Sequence, residues 1–242
     1  PNIDDLAKVF DSAPGNVLVP NPELEPERSL GFELGSYFKT NNNIELDFSS
    51  YLTYLYNGMV RGDFVLENGL TEIIYDGSLS QIQALQNSSR SLIYGLEFGM
   101  NWPLSKNLIL KTQHNMIAGY ELNELPFSLP VRHIPPNYGN FHIVFKKGRL
   151  NLDAFVNYNS EIPFKDLAES ERAKAYLYAL DKNGNPYSPS WHTINVRTKY
   201  SFSEKINCGL SFENISDKLY RPYSSGISAP GSNLIFSLNY AY

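Results

Sequence analysis

Residues 231-GSNLIFSLNYAY-242 alternate between apolar and polar side chains, and this alternation decides the fold. Such a period of two is that of a β-strand. One face would be apolar, formed by Leu234, Phe236, Leu238, Tyr240 and Tyr242. The other would hold Asn233, Ser237, Asn239 and Ala241, with Ile235 as the exception. A strand with a wholly apolar outer face must be covered, and we expect that cover to be lipid.

The same alternation occurs upstream, and short turns alternate strictly with long connections. We predict nine strands, over 29–40, 44–56, 90–102, 108–120, 139–146, 149–159, 192–202, 206–214 and 231–242. The long loops are 57–88, 121–138, 160–190 and 215–230. Transmembrane barrels have short periplasmic turns and longer extracellular loops. We therefore predict an all-β protein, a transmembrane antiparallel up-and-down β-barrel, with 1–28 as an extracellular loop and 29–242 as barrel strands.

Composition excludes several other classes. The chain has 242 residues and 42% hydrophobic side chains, yet it contains no run of the roughly 20 apolar residues that a membrane helix needs. A net charge of −5 offers no basis for binding nucleic acid. The single cysteine, Cys208, rules out an intrachain disulfide and a CxxC metal site.

Aromatic residues collect at the ends of the predicted strands, on the outward face. Two rings of amphipathic aromatics at different heights are typical of the two interfaces of a lipid bilayer. We predict a membrane girdle formed by Phe38, Tyr54, Tyr56, Trp102, Tyr120, Phe145, Tyr158, Phe202, Tyr240 and Tyr242. The alternative is that each is an ordinary core aromatic.

An odd strand count and a polar inner face indicate that the barrel is incomplete. Bacterial single-chain barrels have an even number of strands, and an open edge in lipid leaves backbone groups unpaired. The inward face would carry Glu33, Glu45, Asp47, Glu97, Lys111, Gln113, Asp153, Arg197, Lys199 and Glu213. So many polar groups suit a lumen that holds water or a hydrophilic plug. We expect the nine strands to be the C-terminal part of a larger barrel.

Three stretches resemble motifs of the TonB-dependent outer-membrane receptors: 20-PNPELEPERS-29, 134-IPPNYGN-140 and 212-FENISDKLYRPYSSGISAPGSN-233. The resemblance implies a bacterial outer-membrane barrel of 22 strands, of which this chain is the last nine. It also implies partners: outer-membrane lipid, a missing N-terminal plug and earlier strands, and the TonB energy-transducing complex, reached through the absent N-terminus. The outer-membrane assembly machinery would recognise the last strand, which ends in Tyr242.

By this resemblance the cargo is a small chelate, such as a ferric siderophore, cobalamin or haem. Aromatic faces cover organic ligand surface, and arginine attracts anionic chelates. Candidate binding residues in the outer loops are Arg132, His133, Tyr176, Tyr178, Tyr187, Tyr220, Arg221 and Tyr223. Their alternative role is packing of loop against loop. Within the 160–190 loop, the stretch 166-DLAESERAKAYLYAL-180 predicts a short helix capped by Asp166.

Other histidines and other functions are less favoured. His114 would face outward and His142 inward, without partners at metal-ligand spacing, while His192 beside Trp191 suits an interface anchor. We expect no catalytic residues, metal site or cofactor, and no nucleophile elbow of the Gly-x-Ser-x-Gly type is present. A plug-less passive channel or adhesin barrel remains the main alternative, followed by a soluble β-rich binding module.

Overall fold

The computed structural model describes residues 1, 3, 6, 9–13, 15–122 and 129–241, which are mostly β-strand. Their strands are β1 Phe10–Ala13, β2 Asn16–Leu18, β3 Arg28–Lys39, β4 Glu45–Asp63, β5 Glu72–Tyr75, β6 Ser78–Pro103, β7 Leu108–Glu121, β8 Leu129–Pro130, β9 Tyr138–Lys147, β10 Leu150–Asn159, β11 Ala179–Leu180, β12 Pro186–Tyr187, β13 Trp191–Ser201, β14 Ile206–Glu213 and β15 Asn233–Tyr240. A short helix, α1, spans Glu169–Arg172. Among the described residues, none of the helices has the length and apolar character to cross a bilayer.

The chain divides into two compact units. The larger unit comprises Glu33–Leu52, Tyr94–Gly119 and Pro130–Tyr242. Within it, consecutive long strands pair antiparallel in the order β7, β9, β10, β13, β14 and β15. All nine predicted strands are present, and the Asn41–Asn43 reversal has Asn43 at a φ of +57°. The all-β antiparallel fold class is thus confirmed.

The two faces of the larger unit differ in chemistry. Polar side chains bond across strands on the face predicted to be inward: Ser49 Oγ donates to Glu33 Oε1 at 3.2 Å, and Asn101 Nδ2 donates to Glu45 Oε2 at 2.9 Å. His142 Nδ1 lies 2.9 Å from the Asp153 carboxylate. The opposite face is exposed and apolar along β15, where Leu234, Phe236, Leu238 and Tyr240 all lie. Alternation within each strand therefore separates a polar from an apolar surface.

The larger unit ends in an unpaired edge. Among the described residues β15 pairs only with β14, from Ile206 opposite Tyr240 to Glu213 opposite Asn233, and every residue of β15 is exposed. The sheet is not closed and forms part of a barrel wall. Tyr242, the predicted final girdle residue, lies outside the described residues.

The smaller unit comprises Pro1–Phe32, Thr53–Ile93 and Tyr120–Leu129. Here β2 pairs parallel with β6 through Val17 and Ile82, and β5 pairs antiparallel with β6. Val17, Val19, Ile82 and Ala84 are buried together, so this unit has an apolar core of its own. That packing explains why the chain forms strands here.

The smaller unit differs from the sequence prediction. Residues 57–88, predicted as a long loop, continue β4, contain β5 and begin β6, while 1–28 contains β1 and β2. The segment is polar, and its buried positions are mostly small residues such as Ser80 and Ala84, with Ile82 as the one large apolar side chain. This segment therefore lacks large apolar side chains at every second position, which is the pattern that predicts the other strands.

The first motif, 20-PNPELEPERS-29, is held by hydrogen bonds to neighbouring backbone. Asn21 Nδ2 donates to the Leu85 carbonyl at 2.7 Å, and the Met59 N–H donates to Glu27 Oε1 at 2.7 Å. Asn87 Nδ2 donates to the Glu25 carbonyl at 2.9 Å. The polar residues of this motif thus attach the segment that precedes β3 to the strands beside it.

Candidate functional site

A cavity of about 250 Å³ lies among the loops of the larger unit that precede β13 and β15. We call it the outer-loop cavity, and define it by Tyr178, Tyr187, Trp191, Lys218, Tyr220 and Arg221, which line it with Leu177, Leu219 and several serines and prolines. Four of the eight predicted ligand residues therefore line the same cavity: Tyr178, Tyr187, Tyr220 and Arg221.

A tight reversal places Tyr187 in the cavity wall. β11 and β12, each of two residues, pair antiparallel across the turn 181–185, so that Ala179 lies opposite Tyr187. Asp181 Oδ1 accepts hydrogen bonds from the N–H groups of Asn183, at 2.7 Å, and Asn185, at 2.9 Å. The Asn185 N–H bond lowers the pKa of the Asp181 carboxyl. Gly184, at a φ of +83°, supplies the left-handed residue that this turn needs.

A buried carboxylate fixes Tyr178 from behind. Glu171 is only 2% exposed; it accepts a hydrogen bond from the Tyr178 hydroxyl at 3.0 Å and from the Tyr223 hydroxyl at 2.7 Å. Burial raises the pKa of Tyr178 to about 12. Burial and then the bond to Glu171 raise the pKa of Tyr223. We call this group the Glu171 clamp. It joins two loops through hydroxyls that stay protonated at neutral pH.

The predicted helix over 166–180 is mostly absent. α1 covers only Glu169–Arg172, with single 3-10 turns at Phe164–Asp166 and Ala175–Leu177. The Asp166 cap is wrong, because Ala168 precedes α1 and makes no side-chain cap bond. Leu167 lies in extended backbone and is fully buried beside Ile162 and Tyr178. The buried, extended Leu167 therefore prevents the helix from starting at Asp166.

The third motif fixes the other loop of the cavity. Asn214 is buried at a φ of +49°; its Nδ2 donates to the Lys218 carbonyl at 2.9 Å and to the Pro230 carbonyl at 3.2 Å. Asp217 Oδ1 accepts the Ser232 N–H at 2.8 Å. These bonds join the two ends of the loop that carries Lys218, Tyr220 and Arg221.

Trp191 was not predicted as a ligand residue, yet it forms part of the cavity wall. Its ring lies against Tyr220, with ring centroids 4.2 Å apart and planes 33° from parallel. The Trp191 Nε1 atom is buried and has no hydrogen-bond partner among the described residues. In the sequence, only its position at the start of β13, on the polar face, indicates that Trp191 could line a site.

The cavity is electropositive. Lys218 and Arg221 line it, whereas none of the described lining residues is acidic. Arg221 makes one long hydrogen bond, from Nη1 to the Leu177 carbonyl at 3.4 Å. Cations, tyrosine hydroxyls and aromatic faces together suit an anionic ligand with aromatic surface.

The other four predicted ligand residues lie outside the cavity lining. Tyr223 belongs to the Glu171 clamp, and the backbone of the exposed His133 lies near the Tyr223 hydroxyl. His133 has a φ of +63°. Arg132 is exposed and near enough to Tyr178 to act on it electrostatically, while Tyr176 is 76% exposed.

The predicted girdle residues are partly or fully accessible where the structure describes them. Phe38, Trp102, Tyr120, Phe202 and Tyr240 are exposed, and Tyr54, Tyr56, Phe145 and Tyr158 are half-buried. Contact of these residues with lipid stays a prediction. Among the described residues, no group of three or more His, Cys, Asp or Glu side chains could hold a metal ion.

Consecutive antiparallel strands with one polar and one apolar face define a section of β-barrel wall, here with structured loops between the strands. Residues 1–215 match the family described as TonB dependent receptor-like, beta-barrel. The chain belongs to this family. No curated protein matches the chain in sequence.

Solved structures share the fold. The copper transporter OprC has 13% identity and a TM-score of 0.68, over 91% of this chain and 32% of that one. The FrpB iron transporter from Neisseria meningitidis has 13% identity and a TM-score of 0.65, over 93% of this chain and 33% of that one. A mutant of the ferric enterobactin receptor PfeA from Pseudomonas aeruginosa, in complex with enterobactin, has 17% identity and a TM-score of 0.68. The match covers 93% of this chain and 33% of that one. The chain thus spans about a third of the length of these structures.

Proposed function

We propose that the chain is the C-terminal wall of a bacterial outer-membrane receptor that imports a scarce chelate. A ferric siderophore is the first candidate cargo, and cobalamin and haem are the alternatives. The observation that carries the proposal is the outer-loop cavity, in which Arg221, Lys218 and three tyrosines meet. Membership of the family supports a receptor function. Similar solved structures are a copper transporter, an iron transporter and a ferric enterobactin receptor.

The two faces of the sheet support the membrane assignment. Exposed apolar side chains along β3 and β15 would contact lipid, since the hydrocarbon of a bilayer is their favourable surroundings. The polar network around Glu45 and Asp153 would face a lumen. In this proposal a plug and earlier strands from elsewhere in the receptor close the barrel, and the TonB complex supplies energy.

Growth on single nutrient sources tests the function. A strain lacking the full receptor gene should lose growth on one ferric chelate, on haem or on cobalamin, and the restored gene should rescue it. Inactivating TonB in the rescued strain should abolish uptake of the same compound. Unchanged uptake without TonB would favour the passive channel, and normal growth of the deletion strain on every source would contradict import.

A further inference from the structure

The indole N–H of Trp191 is buried, and the proposed import function assigns no role to it. Nearly all buried donors in proteins have a hydrogen-bond partner, so an unpaired one requires a reason. Trp191 lines the outer-loop cavity, and no described residue accepts a hydrogen bond from its Nε1. A ligand oxygen in the cavity would be a suitable acceptor.

The Tyr220 ring lies over Trp191, with ring centroids 4.2 Å apart. Because Nε1 is buried, a ligand in the cavity reaches it only if a covering group moves. The Tyr220 backbone is held by the Ala229 N–H, which donates to its carbonyl at 2.9 Å. The Tyr220 side chain is half-buried and its ring packs on Trp191, so rotation of this ring is the simplest opening.

The Glu171 clamp keeps Tyr178 in the cavity lining during such a movement. Tyr178 is 7% exposed and bonded through its hydroxyl to Glu171, which also holds Tyr223. The Tyr178 side chain is therefore held in place, whereas the Tyr220 ring is free to rotate about its own side-chain bonds. The cations Lys218 and Arg221 lie on the same loop as Tyr220.

We propose that the outer-loop cavity binds an anionic aromatic group of the chelate, of the catecholate or phenolate class, and that its entry displaces the Tyr220 ring. The displaced ring exposes the Trp191 N–H, which then donates to a ligand oxygen, while Arg221 and Lys218 balance the negative charge. This inference rests on the proposed import function and specifies its ligand chemistry.

Binding to whole cells that carry the full receptor tests the inference, with two ferric probes of opposite charge. One is an anionic ferric tris-catecholate, and the other is a cationic ferric trihydroxamate. Trp191→Phe keeps an aromatic ring at this position but removes the N–H together with the five-membered ring, and we expect about tenfold weaker binding of the catecholate, as for loss of one hydrogen bond to a charged group. Arg221→Gln should weaken it similarly. Trp102→Phe, the matched control outside the cavity, should have no effect.

A second variant tests the movement of the ring. Tyr220→Ala removes the cover, so the catecholate should associate faster than with the unaltered receptor. Receptor on the cell surface, measured by antibody, corrects each value for folding.

The outcomes separate this inference from the import function. Preferred binding of the trihydroxamate, equal catecholate binding by Trp191→Phe, or slower association with Tyr220→Ala would each overturn the inference. In all three cases import of another chelate could still be intact. Absence of uptake of every nutrient source would instead contradict the import function itself.

Discussion

Asn195 and Asn214 are joined across neighbouring strands: Asn195 Oδ1 accepts the Asn214 N–H at 2.8 Å. Asn195 Nδ2 also donates to the Thr193 carbonyl at 3.2 Å, and both asparagines are buried. Asn214 in turn bonds to Lys218 and Pro230. A chain of amides therefore connects β13 to both ends of the loop that leads into β15.

Asn214→Ala should destabilise this loop. It removes three side-chain hydrogen bonds and places alanine at a φ of +49°, which asparagine tolerates better. We expect a loss of about 2–4 kcal/mol, seen as a lower melting temperature of the full receptor in detergent by circular dichroism. Asn239→Ala, at an exposed position of β15, is the control and should change little. Equal melting temperatures for all three proteins would contradict a structural role for Asn214.

Glu171→Gln should loosen the Glu171 clamp. The carboxylate accepts hydrogen bonds from two tyrosine hydroxyls, but an amide offers one acceptor oxygen and an NH₂ group in its place. We expect faster proteolysis within 160–190 of the folded receptor. Glu169→Gln makes the same chemical change two residues away at an exposed position and should leave the cleavage rate unaltered. If both variants were cut at the unaltered rate, the clamp would not hold the loop.

Alkaline pH should open the same clamp. The pKa of Tyr178 is raised by burial to about 12, against about 10 for an exposed tyrosine. A raised folded-state pKa contributes stability that is complete below about pH 10 and is lost as the pH rises through about 12. Tyrosinate absorbance should therefore show a late-titrating group, which Tyr178→Phe removes. A titration curve unaltered by that substitution would exclude Tyr178 as the late group.

Gly139 lies between two aromatic side chains that bond over it. It is opposite His114 in β7 and opposite Tyr158 in β10, and the Tyr158 hydroxyl lies 2.7 Å from His114 Nδ1. His114 Nε2 lies 2.6 Å from Thr112 Oγ1, which itself donates to the Asn140 carbonyl. Since the Thr112 proton is used there, Nε2 of His114 is the donor to Thr112 Oγ1.

Gly139→Ala should break this arrangement. An added Cβ would lie 2.8 Å from His114 Nδ1 and 2.9 Å from Tyr158 Cε1, and closer still to the Gln113 carbonyl oxygen. We expect a loss of about 1–3 kcal/mol, measured by thermal unfolding in detergent. Gly35→Ala is the control, because a Cβ there meets nothing within 4 Å. Equal destabilisation by both substitutions would indicate a general cost of replacing strand glycines.

The strands of the larger unit could be predicted because large apolar residues mark every second position. The β15 face of Leu234, Phe236 and Leu238 shows this pattern. β2 and the first part of β6 could not be predicted, since Ile82 and Ala84 are buried through their contact with Val17 of the partner strand. A pairing between residues 16–18 and 81–83 leaves no local periodicity.

The cavity could be predicted only in part, for a related reason. Tyrosines and an arginine in outer loops suggested ligand contact from chemistry alone. Glu171 accepts a hydrogen bond from Tyr223, which lies 52 positions away in the sequence, and Trp191 packs against the Tyr220 ring. Contacts of this kind depend on the loops being folded together, which no local pattern encodes.

Phe236→Arg tests which face of the sheet meets lipid. Phe236 is 68% exposed in β15, on the face that we expect in the hydrocarbon, and a charged residue on the lipid face of a barrel costs about 2–4 kcal/mol near the midplane. Less folded receptor should therefore reach the outer membrane, as measured by antibody on intact cells and by its resistance to detergent unfolding. Asn239→Arg adds the same charge to the opposite face of the same strand, where a watery lumen should accept it at little cost. If Asn239→Arg were the more damaging of the two, the assignment of the faces would be reversed.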